Sequence, residues 1–244
     1  MKDKLRLSNK MKVNQCIILA GGLGTRLRPL TNDIPKPMVP VDGQPFLALQ
    51  IAYLISQGIT HFVLCVGYKH EKIMDYFGDG QKWGVHIDYA IETELLGTGG
   101  AIKNAETYLD QYFFVFNGDT YLEVDLTACV QQYEHYQKSV LMVLKKLEDC
   151  QRYGTVELDE QNTVITFKEK QASIGEGLIN AGCYLMNNTI LQKILNNQKI
   201  SLETEIFPNF LGDIAGYQTS GYFIDIGTFD SYDEFVQKMR AYKK

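Results

Sequence analysis

Short apolar runs alternate along the first part of the chain with stretches in which apolar residues recur every three or four positions. The short runs predict buried strands, and the periodic stretches predict helices that cover them. We predict the first five elements, in the order β-α-β-α-β, at residues 16–19, 46–56, 61–66, 70–77 and 85–91. This alternation is typical of a mostly parallel sheet with crossover helices.

The same pattern continues through the rest of the chain, although its elements become shorter after residue 153. We predict helices at 101–109, 124–137, 188–195, 202–210 and 229–242. We predict strands at 112–116, 140–147, 155–158, 163–168, 181–186 and 222–226. The two strands that flank the turn at residues 159–162 favour a hairpin. We therefore expect an α/β fold built on one sheet.

A glycine-rich loop follows the first predicted strand. Residues 19–31 have the sequence LAGGLGTRLRPLT, and PKP follows at 35–37. Glycines let backbone N–H groups approach a polyphosphate closely, and the cations Arg26 and Lys36 suit phosphate oxygens. The glycines alone are equally consistent with a tight turn. The dinucleotide motif GxGxxG would need glycine or alanine at Leu27, and the P-loop motif is absent, so both are excluded.

Composition and charge narrow the class of protein. The 244 residues are 45% hydrophobic, which is ordinary for a globular protein with a sizeable core. The net charge of −5 argues against a nucleic-acid partner, and no apolar run is long enough to span a membrane. Five scattered cysteines without a CxxC pair favour free thiols in a reducing cytoplasm. We expect a cytoplasmic protein with a disordered extension over residues 1–12 and a single domain over 13–244.

Two aspartates stand at the ends of predicted strands, Asp119 in NGDT and Asp225 in FIDIGT. Open α/β sheets bind ligands at the carboxyl ends of their strands, and Mg²⁺ prefers one or two carboxylates together with phosphate and water oxygens. Each aspartate alone is equally consistent with a residue that caps the next helix. The pair is a candidate magnesium site. The four histidines show no ligand spacing, and we expect structural or surface roles for them.

The loop sequence and the PKP that follows it resemble the signature of sugar-1-phosphate nucleotidyltransferases, GGxGTRLxPLT and then PKP. The resemblance extends to the family's GD and WxDxGT motifs, with Tyr222 in place of the usual tryptophan. It also includes an EK element, after which Gln171 replaces the family's usual proline. The resemblance implies a three-layer, Rossmann-like nucleotidyltransferase fold with a mostly parallel mixed sheet. It further implies that the two aspartates hold Mg²⁺.

The resemblance assigns functional residues along the whole chain. It implies a nucleotide-binding half at about 13–150 and a sugar-binding half at about 151–244. The implied catalytic residues are Arg26, Lys36, Asp119, Lys170 and Asp225. The implied nucleotide-binding residues are Leu19, Ala20, Gly21, Gly22, Gly24, Thr25, Glu92, Gly97 and Thr98. The implied sugar-binding residues are Tyr153, Gly154, Glu169 and Asn180.

Glu92 indicates which nucleotide base the protein binds. A carboxylate only accepts hydrogen bonds, so it suits the N1–H and N2–H₂ donors of guanine, whereas glutamine would suit uracil or thymine. A surface glutamate at a strand end is the alternative reading. The stretch ExxxLGTGGAIK from Glu92 onwards is most similar to D-glycero-alpha-D-manno-heptose 1-phosphate guanylyltransferases. This similarity implies GTP and a heptose 1-phosphate as substrates, with pyrophosphate as product, for surface glycan biosynthesis.

The sequence leaves other functions open. One is a uridylyl- or thymidylyltransferase that acts on a hexose 1-phosphate or N-acetylmuramate 1-phosphate. Another is a catalytically silent nucleotide-binding regulatory module. A metal-dependent glycosyltransferase would usually show DxD at a strand end, and the sequence after Asp119 lacks it. The sequence identifies neither the sugar nor whether the chain forms a homodimer.

Overall fold

A nine-stranded mixed sheet forms the centre of the computed structural model, which describes residues 11–168, 175–196 and 198–242. Two further sheets have two strands each, β2 with β3 and β7 with β13. The strands of all three sheets are β1 (Gln15–Leu19), β2 (Pro40–Val41), β3 (Gln44–Pro45), β4 (His61–Val66), β5 (His86–Ile91), β6 (Tyr112–Asn117), β7 (Thr120–Leu122), β8 (Val140–Leu147), β9 (Thr155–Leu158), β10 (Val164–Lys168), β11 (Gly177–Asn187), β12 (Ile214–Thr219) and β13 (Phe223–Asp225). The α-helices are α1 (Phe46–Ser56), α2 (His70–Phe77), α3 (Gly97–Asn104), α4 (Leu126–Tyr136) and α5 (Phe229–Tyr242).

The order of the sheet confirms the predicted fold class. Strands β6, β1, β4 and β5 are parallel neighbours in that order. Strand β11 is antiparallel to both β6 and β8, and β12 is parallel to β8. Of these seven strands, six therefore run in one direction and β11 runs in the opposite direction. The hairpin of β9 and β10 pairs with the first part of β11 and extends the sheet on that side.

Helices cover both faces of the sheet and make three layers. Because side chains alternate along a strand, Cys16 and Ile18 of β1 point to one face and Ile17 points to the other. Helices α1, α2 and α4 contribute to the core on the face of Cys16 and Ile18. Helix α3 and the segments at 190–194 and 200–207 cover the opposite face. A third, smaller cluster packs α5 against the segment that follows β1 and against β13.

Several predicted elements differ from the structure in their bounds or type. Helix α3 begins at Gly97, four residues before the predicted start, because its glycines allow close contact with the backbone at residues 198–200. The predicted helix at 202–210 is a π-helical turn (Leu202–Ile206) followed by a 3-10 turn (Phe207–Phe210). Pro208 has no N–H for a regular helix. The predicted helix at 188–195 is a 3-10 turn (Asn188–Lys193).

The second half contains pairings that the hydrophobic pattern does not indicate. Strand β12 was missed because its sequence, IAGYQT, is short and only weakly apolar. The predicted strand at 222–226 exists as β13, but it pairs with β7 in a separate two-stranded sheet. The predicted strand at 181–186 is the centre of the longer β11.

The described part of the chain begins at Met11, which contacts α4. Residues 1–10 of the predicted extension lie outside the described residues, and the backbone N–H of Met11 donates to the Glu134 carboxylate at 2.7 Å. No helix in the described part of the chain is long and apolar enough to cross a membrane.

Candidate active site

Asp119 lies in a tight turn between β6 and β7. The backbone N–H of Gly118 donates to the Leu19 carbonyl at 3.0 Å, which holds the turn against the end of β1. A Cβ at position 118 would lie only 2.6 Å from that carbonyl oxygen, so the close approach requires glycine. The strand ends of β1 and β6 therefore place Asp119 at the carboxyl edge of the sheet, beside the glycine-rich loop.

Asp225 reaches the same place through the small second sheet. Strand β13 is antiparallel to β7, and Asp225 is paired with Thr120 in the register. The backbone N–H of Ile226 donates to the carbonyl of Asp119 at 3.0 Å. Two aspartates that are far apart in the sequence thus become neighbours.

Lys36 lies between these two aspartates. Its Nζ is 2.6 Å from Asp119 Oδ2 and 3.8 Å from Asp225 Oδ1, and its side chain is 9% exposed. Burial acts to raise the pKa of the Asp119 carboxyl, but the Lys36 ammonium outweighs it and the pKa lies below its ordinary value. Burial and the charge of Asp119 raise the pKa of Asp225. Two converging carboxylates are a donor set that suits a divalent cation.

The glycine-rich loop folds over this carboxylate pair. Gly24 has a left-handed backbone (φ 61°), and a Cβ there would lie 2.8 Å from the Cβ of Lys36. The Thr31 hydroxyl donates to the Gly24 carbonyl at 2.8 Å and closes the loop. The Arg26 side chain is exposed, and its guanidinium lies beside Gly227, where an added Cβ would be 3.0 Å from Nη2. Glycine at 227 leaves room for this cation next to Asp225.

Three cavities meet at Asp119, which lines all of them. The Glu92 cavity has a volume of about 350 Å³ and extends from β1 to the start of α3. The glycine-loop cavity, of about 370 Å³, lies under the loop. The Asn180 cavity, of about 300 Å³, lies between β11, the β9–β10 hairpin and β13. Lys36 lines the first two cavities and Arg26 lines the last two.

Glu92 follows β5 and forms one wall of its cavity. Its Oε2 accepts a hydrogen bond from the backbone N–H of Leu96 at 3.2 Å. Its Oε1 lies against Gly21, where an added Cβ would be 2.9 Å away. Burial raises the pKa of the Glu92 carboxyl, and the Leu96 N–H partly opposes this effect. The carboxylate is thus held at the cavity wall as a hydrogen-bond acceptor.

A chain of hydrogen bonds connects the Asn180 cavity to the Glu92 cavity. Asn180 Nδ2 donates to the Tyr184 hydroxyl at 2.7 Å, and that hydroxyl donates to Glu203 Oε1 at 3.3 Å. Glu203 Oε2 accepts from the Thr98 hydroxyl at 2.7 Å. Asn180 lies at a break in the register of β11, and such bulges are frequent next to functional sites.

The structure brings together nearly all the residues that the sequence singled out. The Glu92 cavity is lined by Leu19, Ala20, Gly21, Gly22, Lys36, Glu92, Gly97, Thr98 and Asp119. The glycine-loop cavity adds Gly24, Thr25 and Arg26. The Asn180 cavity adds Tyr153, Gly154, Asn180 and Asp225. The predicted residues Glu169 and Lys170 lie outside the described residues.

Sequence reasoning missed other residues in the cavity walls. Asn117 lines two cavities, and its position directly before the GD motif could have indicated it. Arg152 precedes the Tyr-Gly element in the same way and lines the Asn180 cavity. Lys199 and Glu203 belong to no recognised motif, and only the fold brings them to the site.

A second cluster of possible metal ligands lies at the opposite end of the sheet. His61 Nε2 is 2.8 Å from Asp88 Oδ2, and His86 Nε2 is 3.2 Å from the same oxygen. Backbone hydrogen bonds fix the amide of buried Gln15 so that its Nε2 donates to His61 Nδ1 at 2.9 Å. Nε2 of His61 therefore carries the proton and donates to Asp88. This arrangement does not favour a metal ligand.

Comparison with known proteins found a matching family and several relatives. The profile of the Nucleotidyl transferase family matches residues 15–241. The D-glycero-alpha-D-manno-heptose 1-phosphate guanylyltransferase of Campylobacter jejuni is 42% identical over 223 residues, which cover 91% of this chain and 98% of that protein. The enzyme of the same name from Aneurinibacillus thermoaerophilus is 40% identical over 231 residues, 93% of this chain and 99% of its own. The crystal structure of HddC from Yersinia pseudotuberculosis complexed with GMP-PN is 36% identical and has a TM-score of 0.83, covering 93% of this chain and 100% of that one.

Proposed function

The chain belongs to the nucleotidyl transferase family, and from this premise we propose that it transfers a guanylyl group from GTP to a heptose 1-phosphate. The products are a GDP-heptose, for surface glycan biosynthesis, and pyrophosphate. The single observation that carries the proposal is the convergence of three cavities on Asp119. A reaction that joins two substrates at one phosphorus atom needs such a meeting point.

Guanine is assigned to the Glu92 cavity. The Glu92 carboxylate accepts from N1–H and N2–H₂ of guanine, a pair of donors that uracil and thymine do not have. The relatives named as guanylyltransferases, and the GMP-PN complex of the Yersinia protein, support this assignment. The uridylyl and thymidylyl alternatives are not favoured.

The triphosphate is assigned to the glycine-loop cavity. Backbone N–H groups of the loop and the Arg26 guanidinium bind the β- and γ-phosphates. Lys36, beside Asp119, binds near the α-phosphate. Asp119 and Asp225 would hold Mg²⁺, which supplies charge neutralisation at the phosphate oxygens when bound.

The sugar 1-phosphate is assigned to the Asn180 cavity. Asn180, Tyr153 and Gly154 surround the sugar, and Arg26 also faces this cavity. We assign a sugar hydroxyl to Glu169 and the sugar phosphate to Lys170, on the resemblance to the family's EK element.

The chemical step requires no general base. The second pKa of a phosphate monoester lies near 6, so the sugar phosphate is largely a dianion at neutral pH. One of its oxygens forms a bond to the α-phosphorus of GTP as the bond from that phosphorus to the bridging oxygen of pyrophosphate breaks. The chain's residues contribute by holding the two substrates in line and by balancing the charge that moves to the leaving group. We place the reaction in the cytoplasm, where its phosphorylated substrates are available.

The direct test measures pyrophosphate release by the purified chain with GTP, UTP, dTTP, CTP and ATP. Each nucleotide is combined with heptose, mannose, glucose and N-acetylmuramate 1-phosphates. We expect the highest kcat/KM with GTP and the heptose 1-phosphate. Nucleotide binding without turnover on any acceptor would instead establish a regulatory module and refute the proposal.

A further inference from the structure

The buried face of α1 contains one polar side chain. Phe46, Leu47, Ala48, Ile51 and Leu54 are apolar and fully buried, and Gln50 lies among them with 2% of its surface exposed. An apolar residue at this position would fit the pattern of the helix better. The contacts of the buried amide should therefore explain why glutamine stands here.

Both hydrogens of the Gln50 amide go to the turn that carries Asp119. Nε2 donates to the carbonyl of Asn117 at 2.9 Å and to the carbonyl of Thr120 at 2.8 Å. These two carbonyls flank the Gly118–Asp119 dipeptide, so the side chain joins the end of β6 to the start of β7. The amide thereby fixes the backbone on both sides of the carboxylate.

The same side chain leaves its other polar atom without a partner. Gln50 Oε1 is buried and accepts no hydrogen bond within the described part of the chain. An unsatisfied buried acceptor costs stability. The two donated hydrogen bonds and the unsatisfied oxygen have opposite effects on stability, so stability alone does not require glutamine at this position.

We infer that Gln50 is a positioning residue, which holds the Asp119 carboxylate in the orientation needed to share a divalent cation with Asp225. The inference rests on the proposed function, since it concerns the same carboxylate pair. Gln50 lines none of the three cavities and touches no reacting atom. It acts through the backbone of the turn, as outer hydrogen-bond partners do at metal sites.

The test compares Gln50→Met with Gln15→Met. Methionine has a similar length and cannot donate either hydrogen bond. Gln15 is the matched control because it is fully buried and also donates from Nε2 to a backbone carbonyl, that of Tyr108 at 2.8 Å. It lies at the start of β1, at the opposite end of that strand from the glycine-rich loop. Both variants should lose stability, which thermal unfolding measures.

Only Gln50→Met should weaken the carboxylate site. We expect the free Mg²⁺ concentration for half-maximal activity to rise about 10-fold or more, the size of change typical of an outer hydrogen-bond partner at a metal site. Mn²⁺ binding to the enzyme, followed by electron paramagnetic resonance, should weaken by a similar factor without any turnover. Gln50→Asn keeps the amide on a shorter side chain and should fall between the parent and Gln50→Met.

Equal metal dependence in Gln50→Met and Gln15→Met would overturn the inference, because both would then act through stability alone. If Gln50→Met does not fold, Gln50→Asn decides the question by the same comparison. Failure of the proposed function looks different. In that case the parent chain releases no pyrophosphate with any nucleotide, whatever residue stands at position 50.

Discussion

Replacing Glu92 by Gln exchanges one carboxylate oxygen for an NH₂ group at the wall of the cavity assigned to guanine. Glu92 is held there by the N–H of Leu96 and by its contact with Gly21, so glutamine can occupy the same space. The new NH₂ group faces an N–H group of guanine. One hydrogen bond is lost, and two donors point at each other. With uracil the same amide can donate to an oxygen and accept from N3–H.

The magnitude follows from the lost hydrogen bond. A hydrogen bond to a charged group contributes about 1.5–3 kcal/mol, and each 1.4 kcal/mol is a factor of ten. Glu92 is half-buried, so we expect kcat/KM for GTP to fall about 10-fold to 100-fold. The value for UTP should stay the same or rise.

The assay is pyrophosphate release with GTP, ITP and UTP at one fixed concentration of sugar 1-phosphate. ITP lacks the 2-amino group, so the parent should prefer GTP over ITP, and the variant should lose most of this preference. Glu94→Gln is the control, because Glu94 is exposed and lines none of the three cavities. An unchanged ratio of GTP to UTP in Glu92→Gln would show that another group recognises the base.

The remaining predictions concern the stability of Glu92→Gln, the role of Arg26 in catalysis and the need for glycine at position 182. Because burial raises the pKa of Glu92 in the folded state, its charged form destabilises the protein above that raised pKa, and this cost disappears below the ordinary value of about 4.3. Urea unfolding should therefore show Glu92→Gln to be more stable than the parent at pH 8, with a smaller difference at pH 5. Arg26→Ala should lower kcat about 100-fold or more with little change in melting temperature, since Arg26 is exposed. Turnover at the parent rate would show that Arg26 does not bind the phosphates. Gly182→Ala should cost about 1–3 kcal/mol in urea and raise the KM for the sugar 1-phosphate, because position 182 has φ 67° and a Cβ there would lie 2.5 Å from Asn117 Nδ2. Gly212→Ala isolates the backbone strain, since its φ is 86° and a Cβ would meet nothing within 4 Å, and it should leave that KM unchanged.

The first half of the fold could be predicted because its signals are local. The apolar run of β1 ends directly in glycines, and the periodic stretch of α1 ends before Gly58. The structure confirms the predicted bounds of α1, β4, α2 and β8. In these elements the hydrophobic pattern, the burial and the turns that end each element agree, so tertiary contacts do not change their secondary structure.

The later elements were less predictable because their conformation depends on distant contacts. The glycines of α3 appear in the sequence as a loop, but they are helical because the backbone at 198–200 packs against them. Strands β7 and β13 are only three residues each, and they are strands because they pair with each other. Periodicity cannot show such pairings.

The candidate site also contains residues that the sequence could identify and residues that it could not. Its motif residues were identified because several of them stand together in the sequence, as Arg26 does in the glycine-rich loop. Gln50 lies within the helix predicted at residues 46–56, and nothing in the hydrophobic pattern distinguishes it from a tolerated polar residue. Its contact with the Asp119 turn joins residues far apart in the chain. The sequence therefore indicated which residues contact the cavities more readily than which residues hold them in place.

The long strand β11 has a consequence for how acceptor preference can diverge among related enzymes. One part of this strand pairs with β6, next to the turn that carries Asp119, and the other part pairs with the β9–β10 hairpin. Phe167 of that hairpin forms part of the wall of the Asn180 cavity, whereas the glycine-rich loop and Glu92 are supported by other strands. Exchange of the hairpin between relatives would thus reshape the cavity that we assign to the acceptor and leave the cavities that we assign to the nucleotide unchanged. A single scaffold can in this way serve many acceptors with one donor chemistry.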